Sequence, residues 1–181
     1  MGAVGRIAAL AAVAIASSSL APAAHAGRAV TTYRPPYAPG PAGGDEYNVV
    51  HRDEASGRIA IGRVFPGIPP VIGCVPEPDA GWATFRVGLG AGTKVRSVVL
   101  DVDSLLDPYS WVTLSPRTKR VWLGTTKLQG PVGGAERLTL RLHRSTPARE
   151  PLMIEFGVQL GDACPQIGAA MATFPGVTVR S

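Results

Sequence analysis

Leu152-Met153-Ile154-Glu155-Phe156-Gly157-Val158-Gln159-Leu160 alternates without a break. Leu152, Ile154, Phe156, Val158 and Leu160 fall on one face; Met153, Glu155, Gly157 and Gln159 fall on the other. A period of two is the pattern of a half-buried strand, whereas an amphipathic helix repeats every 3.6 residues. Arg137 to His143 repeats the pattern, with Leu138, Leu140 and Leu142 set against Arg137, Thr139, Arg141 and His143. The intervening Ser145 to Glu150 reads as a hairpin loop. Such a hairpin sets Leu142 opposite Ile154 and Leu140 opposite Phe156. It also sets Arg141 opposite Glu155 on the solvent face, a favourable cross-strand pair. A slip of one residue would turn every leucine into water.

Working outward, the same alternation recurs between clusters of Gly, Pro, Asp and Ser. Tyr47 to His51 and Arg58 to Phe65 read as a hairpin around Asp53-Glu54-Ala55-Ser56-Gly57. Val71 to Val75 is a short strand carrying Cys74. Trp82 to Leu89 puts Ala83, Phe85, Val87 and Leu89 on one face, and Lys94 to Asp103 does the same with Val98, Leu100 and Val102. Ser110 to Leu114 and Arg120 to Gly124 are shorter, and Val177 to Arg180 reads as a last, edge strand. About nine short strands with turn signals between them predict an all-β fold, an antiparallel two-sheet β-sandwich of immunoglobulin-like architecture. No internal repeat is evident.

The chain begins with a basic start to Arg6, an apolar run from Ile7 to Ile15, a helix-breaking stretch to Pro22, and Ala24-His25-Ala26. Charge, apolar run and small-x-small define a signal peptide over 1–26, with cleavage before Gly27. The apolar run is too short for a membrane span. Secretion to the extracellular space or cell wall is the expected localisation. The two cysteines, Cys74 and Cys164, are then expected to form one disulfide. Residues 27–44, rich in Pro and Gly, read as a flexible arm that buries too little apolar surface to order itself. Tyr33-Arg34-Pro35-Pro36-Tyr37 within it could serve as a polyproline-type ligand. The sandwich domain is expected over 45–181.

The formal net charge is +5, from 18 basic and 13 acidic residues scattered along the chain. A mild positive balance suits solubility, or adhesion to acidic polymers. Arg137, Arg141 and Arg144 with His143 come nearest to a basic stripe, but secretion argues against nucleic acid as a partner.

Four groups of residues could carry chemistry. Asp101, Asp103 and Asp107 could coordinate calcium at a sandwich tip, although the spacing is not that of an EF-hand and Asp107-Pro108 is also a turn signal. Asp101 and Asp103 with Glu155 are the carboxylates from which a secreted hydrolase would be assembled. Histidine-based catalysis has little to draw on: His51 and His143 are the histidines beyond the leader, and no Gly-x-Ser-x-Gly elbow occurs. Trp82 and Trp122 fall on the polar side of their strands and point outward; with Trp111 and Tyr109 nearby they would form an aromatic platform. Such a platform points to a non-catalytic binding protein whose ligand is a polysaccharide or cell-wall polymer. The same aromatic surface could instead anchor a protein partner.

Overall fold

The computed structural model describes residues 29–44, 48–63, 81–119, 121–142, 151–161 and 169–181. The expected leader 1–26, Cys74 and Cys164, the strand expected at 71–75, and His143 lie outside the described residues. In chain order the strands are β1 (Val30–Tyr33), β2 (Ala38–Gly43), β3 (Asn48–Asp53), β4 (Arg58–Arg63), β5 (Trp82–Leu89), β6 (Ser97–Leu106), β7 (Ser110–Arg117), β8 (Thr126–Gln129), β9 (Val132–Arg141), β10 (Leu152–Leu160) and β11 (Ala169–Arg180). They form two antiparallel sheets packed face to face. One runs β3-β4-β11-β6-β9 with β1 also on β11; the other runs β2-β5-β10-β7-β8.

From β4 onward nearly every connection crosses from one sheet to the other. That is a jelly-roll order. The sandwich is as expected, but the immunoglobulin-like architecture is corrected. The core lies between the sheets. Ala83, Phe85, Val87 and Leu89 of β5, Val98, Leu100 and Val102 of β6, and all five apolar positions of β10 are buried there, as their alternation requires.

The hairpin expected between Arg137–His143 and Leu152–Leu160 does not form. β9 pairs with β6, setting Leu138 against Leu100 and Leu140 against Val98. β10 lies in the other sheet between β5 and β7. Alternation tells which face of a strand is buried, and both strands obey it. It carries no information on which strand is the neighbour. Val177 to Arg180, expected as an edge, belongs to β11, which is interior. A bulge between Thr173 and Gly176 lets this central strand carry Pro175, which has no N–H for the ladder. At the bulge the strand exchanges β4 for β1 as its neighbour. The strand expected over Arg120–Gly124 reduces to a single bridge between Arg117 and Trp122.

The flexible arm is likewise corrected over its described part. β1 pairs with the C-terminal half of β11, and β2 pairs with β5. Three features make this Pro- and Gly-rich stretch orderable. β2 is an edge strand, so Pro39 and Pro41 sit where missing N–H groups cost little. Its bulge between Pro39 and Ala42 is tied down by Arg52, whose Nη1 donates to Gly40 O at 2.7 Å across the open side of the sandwich. Tyr37 then drives the segment into the core. It is 4% exposed and packs with Phe85 and Phe156, both of which contact Phe174; its ring centroid lies 5.0 Å from that of Phe156 in an edge-on contact. Its hydroxyl donates to Phe174 O at 3.0 Å. A buried Tyr37 cannot act as a free polyproline-type ligand.

The β3–β4 hairpin forms as expected, around Asp53 to Gly57. Asp53 accepts from Ala55 N and Ser56 Oγ, which hold its carboxyl below the usual value. Gly57 has φ +71°, and a Cβ there would come within about 3 Å of Pro35, Tyr37 and the Phe174 carbonyl.

Tyr37 gives the fold an alkaline limit. Burial pushes its phenol up to about 12, from an ordinary 10.0. Below pH 10 both folded and unfolded states keep the proton, and the group adds no slope. Above it the unfolded phenol ionises first, so stability falls as pH rises towards about 12. Melting temperature measured from pH 9 to 12 is expected to show this decline, and Tyr37→Phe is expected to flatten it.

Candidate functional site

The two outer faces of the sandwich differ in kind. On the six-stranded sheet, Asp101 and Asp103 project outward from β6. Asp101 Oδ1 accepts from Arg137 Nε of β9 at 2.8 Å. Asp107 is used by the β6–β7 turn, where its Oδ1 accepts from Tyr109 N at 2.9 Å and Ser110 Oγ at 2.5 Å. Among the described residues, no three of His, Cys, Asp or Glu are grouped to hold a metal ion. The proposed calcium ligands Asp101, Asp103 and Asp107 therefore do not converge, because one is paired to arginine and another caps a turn. The hydrolase set fails for a different reason. Glu155 projects from the opposite sheet, with the whole core between it and the two aspartates.

The outer face of the five-stranded sheet is where functional groups gather. Register sets them in rows across β5, β10 and β7. Trp82, Gln159 and Trp111 form the first row, Thr84, Gly157 and Thr113 the second, and Arg86, Glu155 and Ser115 the third. Strands two apart place the Trp82 and Trp111 backbones about 10 Å from each other. Each indole lies beside a glycine: Trp82 Nε1 and its neighbours crowd Gly43 of β2, and the Trp111 six-membered ring crowds Gly161. A larger residue at Gly43 would push the Trp82 ring away, and one at Gly161 would meet the Tyr109 carbonyl as well as the Trp111 ring.

Trp122 reaches the same face from the β7–β8 connection. Leu123 N donates to Pro116 O at 2.9 Å, and Thr118 N to Val121 O at 2.9 Å. These bonds and the Arg117–Trp122 bridge fix the indole, which stays 56% exposed. The Arg117 guanidinium covers one side of the ring, 5.2 Å from its centroid.

Between Trp82 and Trp122 lies an open depression of about 280 Å³. Thr84, Thr113, Ser115, Thr125, Gln159 and Glu155 supply its polar surface. Ser115 Oγ and Thr125 Oγ1 are hydrogen-bonded to each other at 3.0 Å. Gly157, in the centre of the middle strand, adds no side chain to the face.

Glu155 is the charged group of this lining and is only 8% exposed. Its Oε2 sits 3.0 Å from Arg117 Nη2 and 3.5 Å from Arg86 Nε. Two cations therefore flank one carboxylate.

The structure thus brings Trp82 and Trp122 together and leaves Trp111 and Tyr109 outside the depression. Trp111 is half-buried, with Lys127 Nζ 5.3 Å from its ring centroid, and Tyr109 is exposed on the β6–β7 turn. Arg86, Arg117 and the hydroxyl floor escape the sequence reading. Thr84-x-Arg86 and Thr113-x-Ser115 are visible as polar alternates, but nothing local shows that they lie side by side.

No family model matches the chain, and no curated protein matches it in sequence. Solved structures with a similar course of chain include TmCBM61 bound to β-1,4-galactotriose, at 12% identity and TM-score 0.41, over 78% of this chain and 88% of that one. The CBM36-1 domain of a multidomain xylanase from the hindgut metagenome of Trinervitermes trinervoides is 11% identical, with TM-score 0.43, over 83% and 96%. The active domain of bacteriophage CBA120 tailspike protein 4 is 11% identical, with TM-score 0.43, over 86% of this chain and 20% of that one.

Proposed function

We propose that the protein is a secreted, non-catalytic binding domain that takes a glycan in the depression between Trp82 and Trp122. The observation that carries this reading is the pairing of two indole walls with a floor of hydroxyl, amide and carboxylate groups. A sugar ring has apolar C–H faces and a polar rim, and this arrangement offers a partner to each. Binding is favoured over hydrolysis because, among the described residues, the one carboxylate of the lining is clamped between two arginines. A glycosidase of the usual kind needs a second carboxylate across the cleft.

The test is retention of the purified chain on insoluble polysaccharides and isolated cell wall. Trp82→Ala and Trp122→Ala are each expected to weaken retention by about tenfold or more, the loss of roughly 1.4 kcal/mol of contact. Trp122→Ala is expected to leave the melting temperature almost unchanged, because that ring is mostly in solvent. Retention equal to wild type in both variants would refute the proposal.

A further inference from the structure

Three polar atoms at one point of this face lack hydrogen bonds. Glu155 Oε2, Arg86 Nε and Arg117 Nε are all buried, and among the described residues none has a hydrogen-bond partner, although the ion-pair distances are short. Buried polar groups are almost always hydrogen-bonded, and leaving one unpaired is costly. The orphans are one acceptor and two donors, which narrows what could complete them. A carboxylate or sulfate accepts but cannot donate, so it would answer the arginines and be repelled by Glu155. An ammonium donates but cannot accept, and would be repelled by the arginines. A hydroxyl does both. Glu155 keeps 11% of its side-chain surface and lines the depression, while Arg86 and Arg117 keep 29% and 28% of theirs. The guanidiniums therefore have room to turn as a ligand enters.

Resting on the glycan reading above, we propose that the Arg86–Glu155–Arg117 triad selects the charge class of the ligand: a neutral, hydroxyl-rich glycan in preference to an acidic one. Glu155 accepts from ligand hydroxyls, and the arginines hold it in place. Arg117 also covers the Trp122 ring, so the carboxylate at the floor and the aromatic wall are held by one side chain. The net charge of +5 by itself would favour acidic polymers. Within the depression that preference is opposed, because of the three charged side chains it is Glu155 that lines it, and a buried carboxylate acts at short range and is little screened.

The experiment is affinity electrophoresis of the full chain through gels containing neutral polymers (xylan, mannan, galactan, β-glucan) or polygalacturonate. Wild type, Trp82→Ala and Glu155→Gln are run side by side. The expected result is that wild type is retarded by at least one neutral polymer and not by polygalacturonate. Glu155→Gln should lose about tenfold on the neutral polymer, as expected for a hydrogen bond to a charged group. With both arginines unpaired it should gain retardation on polygalacturonate, and added salt should abolish that gain. If Glu155→Gln behaves as wild type on both polymers while Trp82→Ala loses binding, the triad proposal falls and the glycan reading stands. If no polymer retards wild type, both fall. If Glu155→Gln does not fold, the wild-type preference decides alone, and stronger retardation by polygalacturonate overturns the proposal.

Discussion

Tyr37→Ala is expected to destabilise the protein by about 3–5 kcal/mol, the usual cost of removing a buried aromatic ring. For a domain of this size that lowers the melting temperature by on the order of 10 °C. The ring is 4% exposed and touches Phe85 and Phe156 of one sheet, while its hydroxyl reaches the Phe174 carbonyl of the other. Its removal therefore leaves a cavity at the middle of the sandwich. It also releases the segment between β1 and β2, since Tyr37 is what ties those strands to the core. Tyr37→Phe keeps the ring and loses the bond to Phe174 O, and is expected to cost only about 1 kcal/mol. Thermal unfolding of the three proteins checks both figures. Equal melting temperatures for Tyr37→Ala and wild type would mean that residues 29–44 do not belong to the fold.

Gly157→Ala is expected to be the other severe change, although it adds a single methyl group. A Cβ at this position would run into the Ala83 carbonyl and lie 2.7 Å from the Thr84 Cα. Both are backbone atoms of β5, so no rotamer change relieves the clash. Overpacking of this kind costs about 1–3 kcal/mol, and more when the strands must part. The same movement would shift Thr84 and Trp82 relative to Thr113 and Ser115, because Gly157 lies between the two sets in register. Stability and glycan retention are therefore expected to fall together. In Trp122→Ala they separate, with retention lost and stability kept. Chemical denaturation alongside gel retardation distinguishes the two patterns. A Gly157→Ala protein as stable as wild type would show that β5 and β10 lie further apart at this point.

These expectations also show where the sequence was readable. Trp82 to Leu89 was legible to the residue as a strand, and its buried face was assigned correctly, because alternation is a local property. The β3–β4 hairpin was legible as a hairpin, though not to the residue at its strand ends, because its turn chemistry is contained in Asp53 to Gly57. The outward direction of Trp82 followed from the same rule; Trp122 is exposed on a connection that is not a strand, with Val121 beside it exposed as well. Strand partners were not legible. β9 and β10 are adjacent in sequence and both alternate, yet they lie in different sheets. The Pro- and Gly-rich stretch misled for a related reason. Composition argues for disorder when a segment is taken alone, and β2 is ordered by groups far away: Arg52, the edge of β5 and the Phe cluster.

The candidate site was half legible on the same grounds. Two of the four aromatics proposed for it, Trp82 and Trp122, line the depression. Glu155 was noticed as a carboxylate and expected to face Arg141. Its actual partners, Arg86 and Arg117, lie 69 and 38 residues away in sequence, as their numbering shows. The sequence by itself determined that the chain forms strands, that those strands bury one face, and which side chains are turned outward. All of that follows from the period of the β backbone and the free energy of burying apolar surface. The tertiary structure alone decided which outward side chains became neighbours. That choice depends on strand order and register, which are set by how two whole sheets close over one core.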